Sequence, residues 1–184
     1  MPHRRDTLIA WLRDAHAMER ATIDNIKRLL ERMEAHPEFV ARYDAHLRDS
    51  AAQLGRIERC LDALDADRSV LKDTMMRLTG YAEAFTTAIA PDEAVKHGLA
   101  AYSYEHFEIA SYTSLIAAAE SLGLTEVQEL CTLSLQEERE MAEWLEQYIP
   151  QATCNYLDEA AKDRTPSRPR AAESRVGGRD GARN

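Results

Sequence analysis

The feature of this sequence that most restricts its fold is the length over which apolar residues recur every three or four positions. Proline and glycine are scarce, at 6 and 7 of 184 residues, and most of them lie at obvious breaks or near the C-terminus. Long uninterrupted helices are therefore expected. In the first such stretch the residues on one face are Leu8, Leu12, Ile23, Ile26, Leu30 and Met33.

The breaks divide the chain into four long helices and two shorter segments. The long helices are predicted from Asp6 or Thr7 to about residue 35, and over residues 37–64, 92–122 and 125–149. Pro37 suits the first position of a helix, Gly123 suits a C-cap, and Pro150 is expected to end the last long helix. The shorter segments, 69–89 and 152–162, are also predicted to be helical.

The order of these elements predicts the fold class. Helices of about 28 residues reach ~40 Å, and the short loops after the first and third make each pair antiparallel. Segment 69–89 supplies the long crossover that ferritin-like bundles need. We therefore predict an all-α, ferritin-like antiparallel four-helix bundle over residues 1–163, with an additional short crossover helix.

The last segment, residues 164–184, differs in composition from the rest of the chain. It contains six arginines against Glu173 and Asp180, together with proline, glycine and serine, and apolar periodicity is lost after Leu157. This composition is typical of chain that does not bury a core. We predict a disordered basic tail.

Charge and cysteine usage exclude several functional classes. The net charge is −9 although the tail is basic, and an acidic body argues against nucleic acid as a partner. Cys60, Cys131 and Cys154 are odd in number and far apart, which indicates a reducing compartment. The apolar run before Arg13 is too short for a signal sequence or a membrane span. We expect a cytoplasmic protein with no nucleic-acid and no membrane partner.

Two glutamates occupy positions where leucine is expected. Glu19 follows Leu12 by seven residues and precedes Ile23 by four, so it lies in the middle of the apolar stripe of its helix. Glu138 repeats this pattern on the last helix. A lone buried carboxylate is costly or loses its charge, so the two indicate a shared cation. The alternative is that Glu19 is an edge residue paired with an arginine such as Arg139.

Other polar residues on inward faces extend this candidate site. Glu105 shares the apolar face of the third long helix, and Glu108 flanks it. On the second helix His46 and Asp49 are three residues apart and could serve one ion together, although His46 alone also fits a hydrogen-bonded core histidine. Carboxylate and imidazole ligands suit manganese, iron or zinc. The candidate metal ligands are Glu19, His46, Asp49, Glu105, Glu108 and Glu138.

Five stretches of the chain carry a family resemblance. They are YEHFEIASYTSLIAAAESLG, LSLQEEREMAEWLEQYIP, AHLRDSAAQLGRIERCLDAL, SVLKDTMM and APDEAVKHGLAAY. Together they resemble the YciF-like family of ferritin-like proteins, over about residues 6–157. The resemblance implies a five-helix ferritin-like fold, often dimeric, in stress-related bacterial proteins. It also implies a di-iron or related site, with no firmly assigned reaction for most members.

The family's acidic positions match this chain on three helices. Glu19 matches the first-helix glutamate of the family. Glu105 and Glu108 match its Glu-x-x-Glu, and Glu137 and Glu138 match the glutamate pair of its last helix. The resemblance therefore implies that these helices supply most of the ligands.

The second helix departs from the family pattern. His46 is kept, but Arg48 and Asp49 stand where the family reads Glu-Glu, and Ala51 stands where it has His or Arg. On the last helix Ala142 replaces an acid that some members carry. The resemblance thus leaves open whether the chain holds one metal ion, two or none.

These observations favour a stress-related bundle whose interior carboxylates hold iron or manganese. Such a site would support oxygen or peroxide chemistry. The third helix is largely apolar, and we expect it to mediate a homodimer. Whether it is an enzyme stays open. The alternative is a metal-free structural or interaction bundle with a degenerate metal site. His46 or Asp49 reaching Glu19 and Glu138 would favour metal, whereas an arginine in that space would exclude it. The arginines to consider are Arg20, Arg48 and Arg139.

Overall fold

The computed structural model describes residues 2–32, 37–66 and 92–163 of the chain. These residues form four long helices: α1 (Pro2–Arg32), α2 (Pro37–Ala63), α3 (Glu93–Ser121) and α4 (Thr125–Asp163). No strand occurs within them, which confirms the all-α fold class. Of the helices in these ranges, none combines the length and the hydropathy needed to cross a membrane. The predicted crossover helix and basic tail lie outside the described residues.

Two helices begin at proline. α2 begins at Pro37, as predicted, whereas α1 begins at Pro2, ahead of the predicted start at Asp6 or Thr7. Proline is tolerated in a first turn because its missing N–H would have no partner inside the helix. The extra turns of α1 therefore cost no hydrogen bond at their start.

A glycine turn joins α3 to α4, as the sequence predicts. Gly123 has φ 68°, a left-handed conformation that glycine adopts without a Cβ clash. Its N–H donates to the Glu120 carbonyl, and the Leu124 N–H donates to the Ala119 carbonyl, both at 3.0 Å. This pair of bonds is a Schellman motif, which satisfies carbonyls at the end of α3 and reverses the chain.

The predicted break at Pro150 is wrong, because α4 continues through it to Asp163. A proline inside a helix removes a hydrogen bond and costs about 3 kcal/mol. Packing on both sides of Pro150 offsets this cost. Ile149 lies so close to Gly98 of α3 that a Cβ at Gly98 would be 3.1 Å from the Ile149 Cγ1 atom, and Ala152 is buried. The predicted short helix 152–162 is therefore the end of α4.

The helices pair as predicted, α1 mainly with α2 and α3 mainly with α4. Leu8 and Leu12, near the start of α1, belong to the same core cluster as Leu61 and Leu64, near the end of α2. The two helices of this pair therefore run in opposite directions. The glycine turn makes α3 and α4 antiparallel as well.

The interior is divided into three layers along the bundle axis, which follow one another on α1 as Leu12, Glu19 and Ile26. The apolar layer contains Leu8, Leu12, Ile57, Cys60, Leu61, Leu64, Leu115, Val127 and Cys131. The aromatic layer, at the other end, contains Ile26, Phe39, Tyr43, Met141 and Leu145, with Trp144 and Tyr148 packed against them. The carboxylate layer between them contains Glu19, His46, Glu105, Glu108 and Glu138.

α2 ends and α3 begins at opposite ends of the bundle. α2 passes from Tyr43 in the aromatic layer to Leu61 in the apolar layer, and α3 passes from Tyr102, packed on the aromatic layer, to Leu115 in the apolar layer. These two helices are therefore parallel, and the chain ends on either side of residues 67–91 lie at opposite ends of the bundle. A long connection of this kind is a property of ferritin-like bundles.

Candidate metal centre

Four buried side chains of the type that binds metals meet in the carboxylate layer. His46 comes from α2, Glu105 and Glu108 come from neighbouring turns of α3, and Glu138 comes from α4. Each is at most 3% exposed. One ligand atom from each lies within 4.8 Å of the others. Across the residues that the structure describes, this is the one cluster of this kind.

Glu19 of α1 lies beside this group and is held by a tyrosine of α3. The Tyr112 hydroxyl donates a hydrogen bond to Glu19 Oε1 at 2.5 Å, while Glu19 Oε2 is buried without a partner. The charges of His46 and Glu105 act on the Glu19 carboxyl, so the five side chains form one electrostatic unit. The tyrosine fixes the rotation of the carboxylate and leaves its second oxygen available.

A second hydroxyl orients Glu108 in the same manner. Thr22 Oγ1, on the turn of α1 that follows Glu19, donates to Glu108 Oε1 at 2.6 Å. The Tyr104 hydroxyl lies 3.3 Å from the same Thr22 oxygen. Glu108 Oε2 is buried and has no hydrogen-bond partner among the residues of the four described helices. In both glutamates one oxygen is anchored by a hydroxyl group and the other is free to accept a ligand.

Buried polar atoms without a hydrogen-bond partner are concentrated in this layer. Within the described ranges they include both oxygens of Glu138, both ring nitrogens of His46, and Oε2 of Glu19, Glu105 and Glu108. Each such atom costs about 1–3 kcal/mol if it stays unpaired. Carboxylate oxygens and imidazole nitrogens are donors that manganese, iron and zinc accept. The residues present therefore fit a bound divalent metal ion.

The pKa values of the buried carboxyl groups also indicate a cation site in this layer. Burial raises the pKa of Glu19 to about 8 and raises the pKa values of Glu108 and Glu138 well above their ordinary range. Burial is the largest single influence on Glu105 and acts to raise its pKa, but the charge of His46, hydrogen bonding to His46 and Glu138, and the charge of Arg42 together lower it.

Burial is the largest single influence on His46 and acts to lower its pKa, but Glu105 and the charge of Glu19 together raise the pKa of the imidazole. The His46 Nε2 atom lies 3.5 Å from Glu105 Oε1. His46 and Glu105 thus compensate each other, whereas Glu19, Glu108 and Glu138 are three carboxyls that must keep a proton or acquire a cation.

The structure brings together five of the six candidate ligands from the sequence, all except Asp49. Asp49 is only partly buried and does not belong to the cluster. The side chains of Arg20, Arg48 and Arg139 are exposed, so none of these arginines lies between the carboxylates. Glu137, the neighbour of Glu138, is bound by Arg56 outside the layer.

Sequence reasoning missed the two hydroxyl groups that orient the glutamates. Spacing offered a signal for both. Tyr112 follows Glu108 by four residues, and Thr22 follows Glu19 by three, so each lies on the inward face of its helix. A tyrosine or threonine one turn from a buried carboxylate is thus a candidate hydrogen-bond partner.

An antiparallel bundle with inward glutamates and a histidine from facing helices defines a class, the ferritin-like carboxylate bundles. Within that class the chain belongs to the family described as "Domain of unknown function (DUF892)", which it matches over residues 3–158. The match covers all four described helices except the end of α4.

Relatives in this family confirm the resemblance to YciF-like proteins. The chain is 26% identical over 139 residues to "Protein YciF" of Escherichia coli strain K12, covering 73% of this chain and 82% of that protein. A crystal structure of a Xanthomonas campestris pv. campestris protein is 32% identical with TM-score 0.71, covering 86% of this chain and 99% of that one.

A second crystal structure, of "the E.coli stress protein YciF", has TM-score 0.70 at 22% identity and covers 83% of this chain and 98% of that one. At this level of identity the likeness concerns the fold alone. Both structures are spanned almost from end to end, so the fold is shared as a whole.

Proposed function

We propose that the protein holds one or two divalent metal ions in the carboxylate layer, with iron or manganese as the resident metal. His46, Glu105, Glu108 and Glu138 are the proposed ligands, and Glu19 is a further ligand through its free Oε2. The observation that supports this is the concentration of buried donor atoms without partners at one level of the bundle. A cation would satisfy these atoms and balance the three excess carboxylates.

Iron or manganese at this position would supply redox equivalents for oxygen or peroxide chemistry. The chain's own contribution is to hold the ligands and to exclude bulk water. Tyr112 and Thr22 fix the rotation of Glu19 and Glu108, so less freedom is lost when these carboxylates bind. The apolar and aromatic layers close the site from both ends.

The biological setting is proposed from the relatives and the cysteines. The Escherichia coli relative is titled a stress protein, and we extend a stress-related role to this chain. Cys60 and Cys131 are buried and free, and Cys154 is exposed and free. Free thiols suit a reducing compartment, so we place the protein in the cytoplasm.

An apolar surface supports a homodimer as the working form. Trp11 and Phe107 are 46% and 39% exposed and line one pocket between α1 and α3. Large exposed apolar side chains on neighbouring helices are typical of an interaction surface. We propose that a second copy of the chain covers this face.

The test of the metal proposal is Glu138→Gln, because both oxygens of Glu138 are buried without a hydrogen-bond partner in the part of the chain that the structure describes. A neutral amide is a poor ligand for a hard cation, so Mn²⁺ affinity measured by calorimetry should fall at least about tenfold. The apo fold should persist, because burial keeps Glu138 protonated in the apo protein and the amide that replaces it is neutral as well. Elemental analysis of the wild type, purified from unsupplemented cells, should show bound iron or manganese.

The matched control is Glu143→Gln, which removes the same charge from an exposed position on α4. It should bind Mn²⁺ like the wild type. If the wild type takes up no metal, the proposal fails and a metal-free structural bundle is the correct interpretation. If Glu138→Gln binds Mn²⁺ as the wild type does, Glu138 is not a ligand and the proposed metal centre is wrong.

A further inference from the structure

A polar seam leads from the surface to the carboxylate layer between α2 and α4. At its outer end Arg56 of α2 and Glu137 of α4 form a two-point ion pair, with both N–O distances 2.6 Å. Their side chains are 19% and 25% exposed, so the pair lies at the boundary between solvent and core. A guanidinium and a carboxylate joined by two parallel hydrogen bonds form one of the stronger charge interactions in proteins.

Gln53 is the next residue of the seam toward the core. Its side chain is fully buried, and its Nε2 donates to Glu137 Oε2 at 3.0 Å. Its Oε1 is buried and has no hydrogen-bond partner within residues 2–32, 37–66 and 92–163. Gln53 follows His46 by seven residues and so lies on the same face of α2. An amide oxygen is a ligand that hard divalent cations accept.

A hydroxyl branch runs parallel to Gln53. Arg56 Nη1 donates to Ser134 Oγ at 3.2 Å, and Ser134 is fully buried one turn before Glu138. The Ser134 side chain also acts on the Tyr112 hydroxyl, where it works to lower the pKa that burial raises, and that hydroxyl donates to Glu19. The hydroxyl branch therefore leads from the surface ion pair toward Glu19, and Ser134 itself lies one turn from Glu138 on α4.

The opposite side of the bundle offers a different environment. A pocket between α1 and α3 is lined largely by apolar side chains, among them Trp11, Met18, Phe107 and Leu115, and its polar lining residues are Asp14, Ser111 and Ser114. The seam between α2 and α4 supplies carboxylate, amide and hydroxyl oxygens in succession.

We propose that Glu137 is an outer binding site through which a divalent cation reaches the carboxylate layer, that Arg56 closes this site, and that Gln53 Oε1 is the next ligand inward. This inference rests on the proposed metal centre. A cation of charge two competes with the guanidinium for the same carboxylate, and the partial exposure of Arg56 lets its side chain turn toward solvent. The ion then passes by Gln53 to Glu138 and His46.

The experiment measures Co²⁺ uptake by the full apo chain in a stopped-flow instrument, followed by quenching of tryptophan fluorescence. Trp144 is a suitable reporter, since its ring lies 6.3 Å from Tyr43, whose ring lies 6.3 Å from His46. Release is measured by adding excess chelator, and the dissociation constant by equilibrium titration. These readouts do not depend on any catalytic activity.

Glu137→Gln should slow uptake at least about tenfold, the lower end of what charge-lined clefts contribute to association rates. It should slow release equally and leave the dissociation constant unchanged, because Glu137 is not a ligand in the final site. Arg56→Ala should accelerate both uptake and release. Arg56→Lys, which keeps the charge but loses the two-point contact, should give rates between those of Arg56→Ala and the wild type.

The matched control is the pair Arg59–Glu126, which joins the same two helices at 3.4 Å but is exposed on both sides. Glu126→Gln and Arg59→Ala make the same charge changes and should leave the Co²⁺ rates at wild-type values. Equal rates for Glu137→Gln and Glu126→Gln would overturn the inference. Weaker equilibrium binding by Glu137→Gln would also overturn it, since Glu137 would then be a ligand of the centre. A wild type that binds no Co²⁺ at equilibrium would instead refute the metal centre itself.

Discussion

In the apolar layer, side chains such as Leu8, Leu12 and Leu61 are removed from water and need nothing more to be stable there. In the carboxylate layer, on the same four helices, both oxygens of Glu138 and both ring nitrogens of His46 are buried without a hydrogen-bond partner among the described residues. The first layer supplies most of the free energy that holds the helices together. Part of that free energy offsets the cost of burying the ionisable groups of the carboxylate layer, where they can bind a cation.

The largest expected effect tests whether the apolar layer is independent of the metal site. Leu12→Ala removes a fully buried side chain and should lower the free energy of unfolding by about 2–5 kcal/mol, through lost burial and a cavity. The loss should be equal with and without bound Mn²⁺ when urea denaturation is measured at one pH.

Leu133→Ala is the control for this change, because Leu133 is 51% exposed and its truncation should have little effect. A loss for Leu12→Ala that appears only in the metal-bound protein would mean that the apolar layer is not fully formed without metal. The two layers would then be one cooperative unit rather than two separable ones.

The next effect is a pH dependence that only the carboxylate layer should show. The folded apo protein keeps a proton on Glu19 up to about pH 8, whereas the unfolded chain releases it near 4.5. The folded state therefore binds more protons than the unfolded state between these pH values. The free energy of unfolding of the apo protein should fall as pH rises, and each such carboxyl should contribute about 1.4 kcal/mol per pH unit. Glu108 and Glu138 act in the same direction.

Urea denaturation of the chelator-treated protein at pH 5, 6.5 and 8 measures this slope. Bound Mn²⁺ should remove or reverse it, because the metal binds the deprotonated carboxylates. Glu19→Gln should make the apo slope shallower. An apo protein whose stability is constant over this range would show that the carboxyls are compensated in some other way.

The smallest effect concerns the hydroxyl that connects the two layers. Tyr112→Phe leaves the ring in the core but removes the hydrogen bond to Glu19, which should cost about 1 kcal/mol of apo stability. Mn²⁺ affinity should fall about tenfold because Glu19 loses its fixed orientation. Tyr102→Phe is the control, since that ring packs edge-on against His106 and is not part of the site. Equal affinities of the two variants would contradict an orienting role.

The fold could be predicted from spacing because its four helices are long and strongly periodic. Gly123 could be placed as a C-cap because its backbone conformation follows from local chemistry. Pro150 could not, because the helix survives there through contacts of Ile149 with α3 and the burial of Ala152. Such tertiary contacts are invisible in the local sequence and can outweigh a local preference.

Prediction of the site from the sequence is limited in the same way. Periodicity places Glu19 and Glu138 on inward faces because it reports the rotation of a residue about its own helix axis. Asp49 lies at the edge of such a face, and spacing alone does not tell whether it reaches the centre. Hydrogen bonds from Tyr112 or Arg56 depend on the lateral approach of two helices, which no pattern within one helix contains.

α3 contributes Glu105, Glu108 and Tyr112 to the carboxylate layer from one helix face, while Gly98 fixes the same helix against Ile149 of α4. Each residue advances an α-helix by about 100°. A substitution on this helix therefore alters one side chain, but an insertion or deletion of one residue between Gly98 and Glu105 turns all three away from the interior together. Sequence length over this stretch is thus constrained more strictly than sequence identity, and gapless alignment there is the mark of relatives that keep the site.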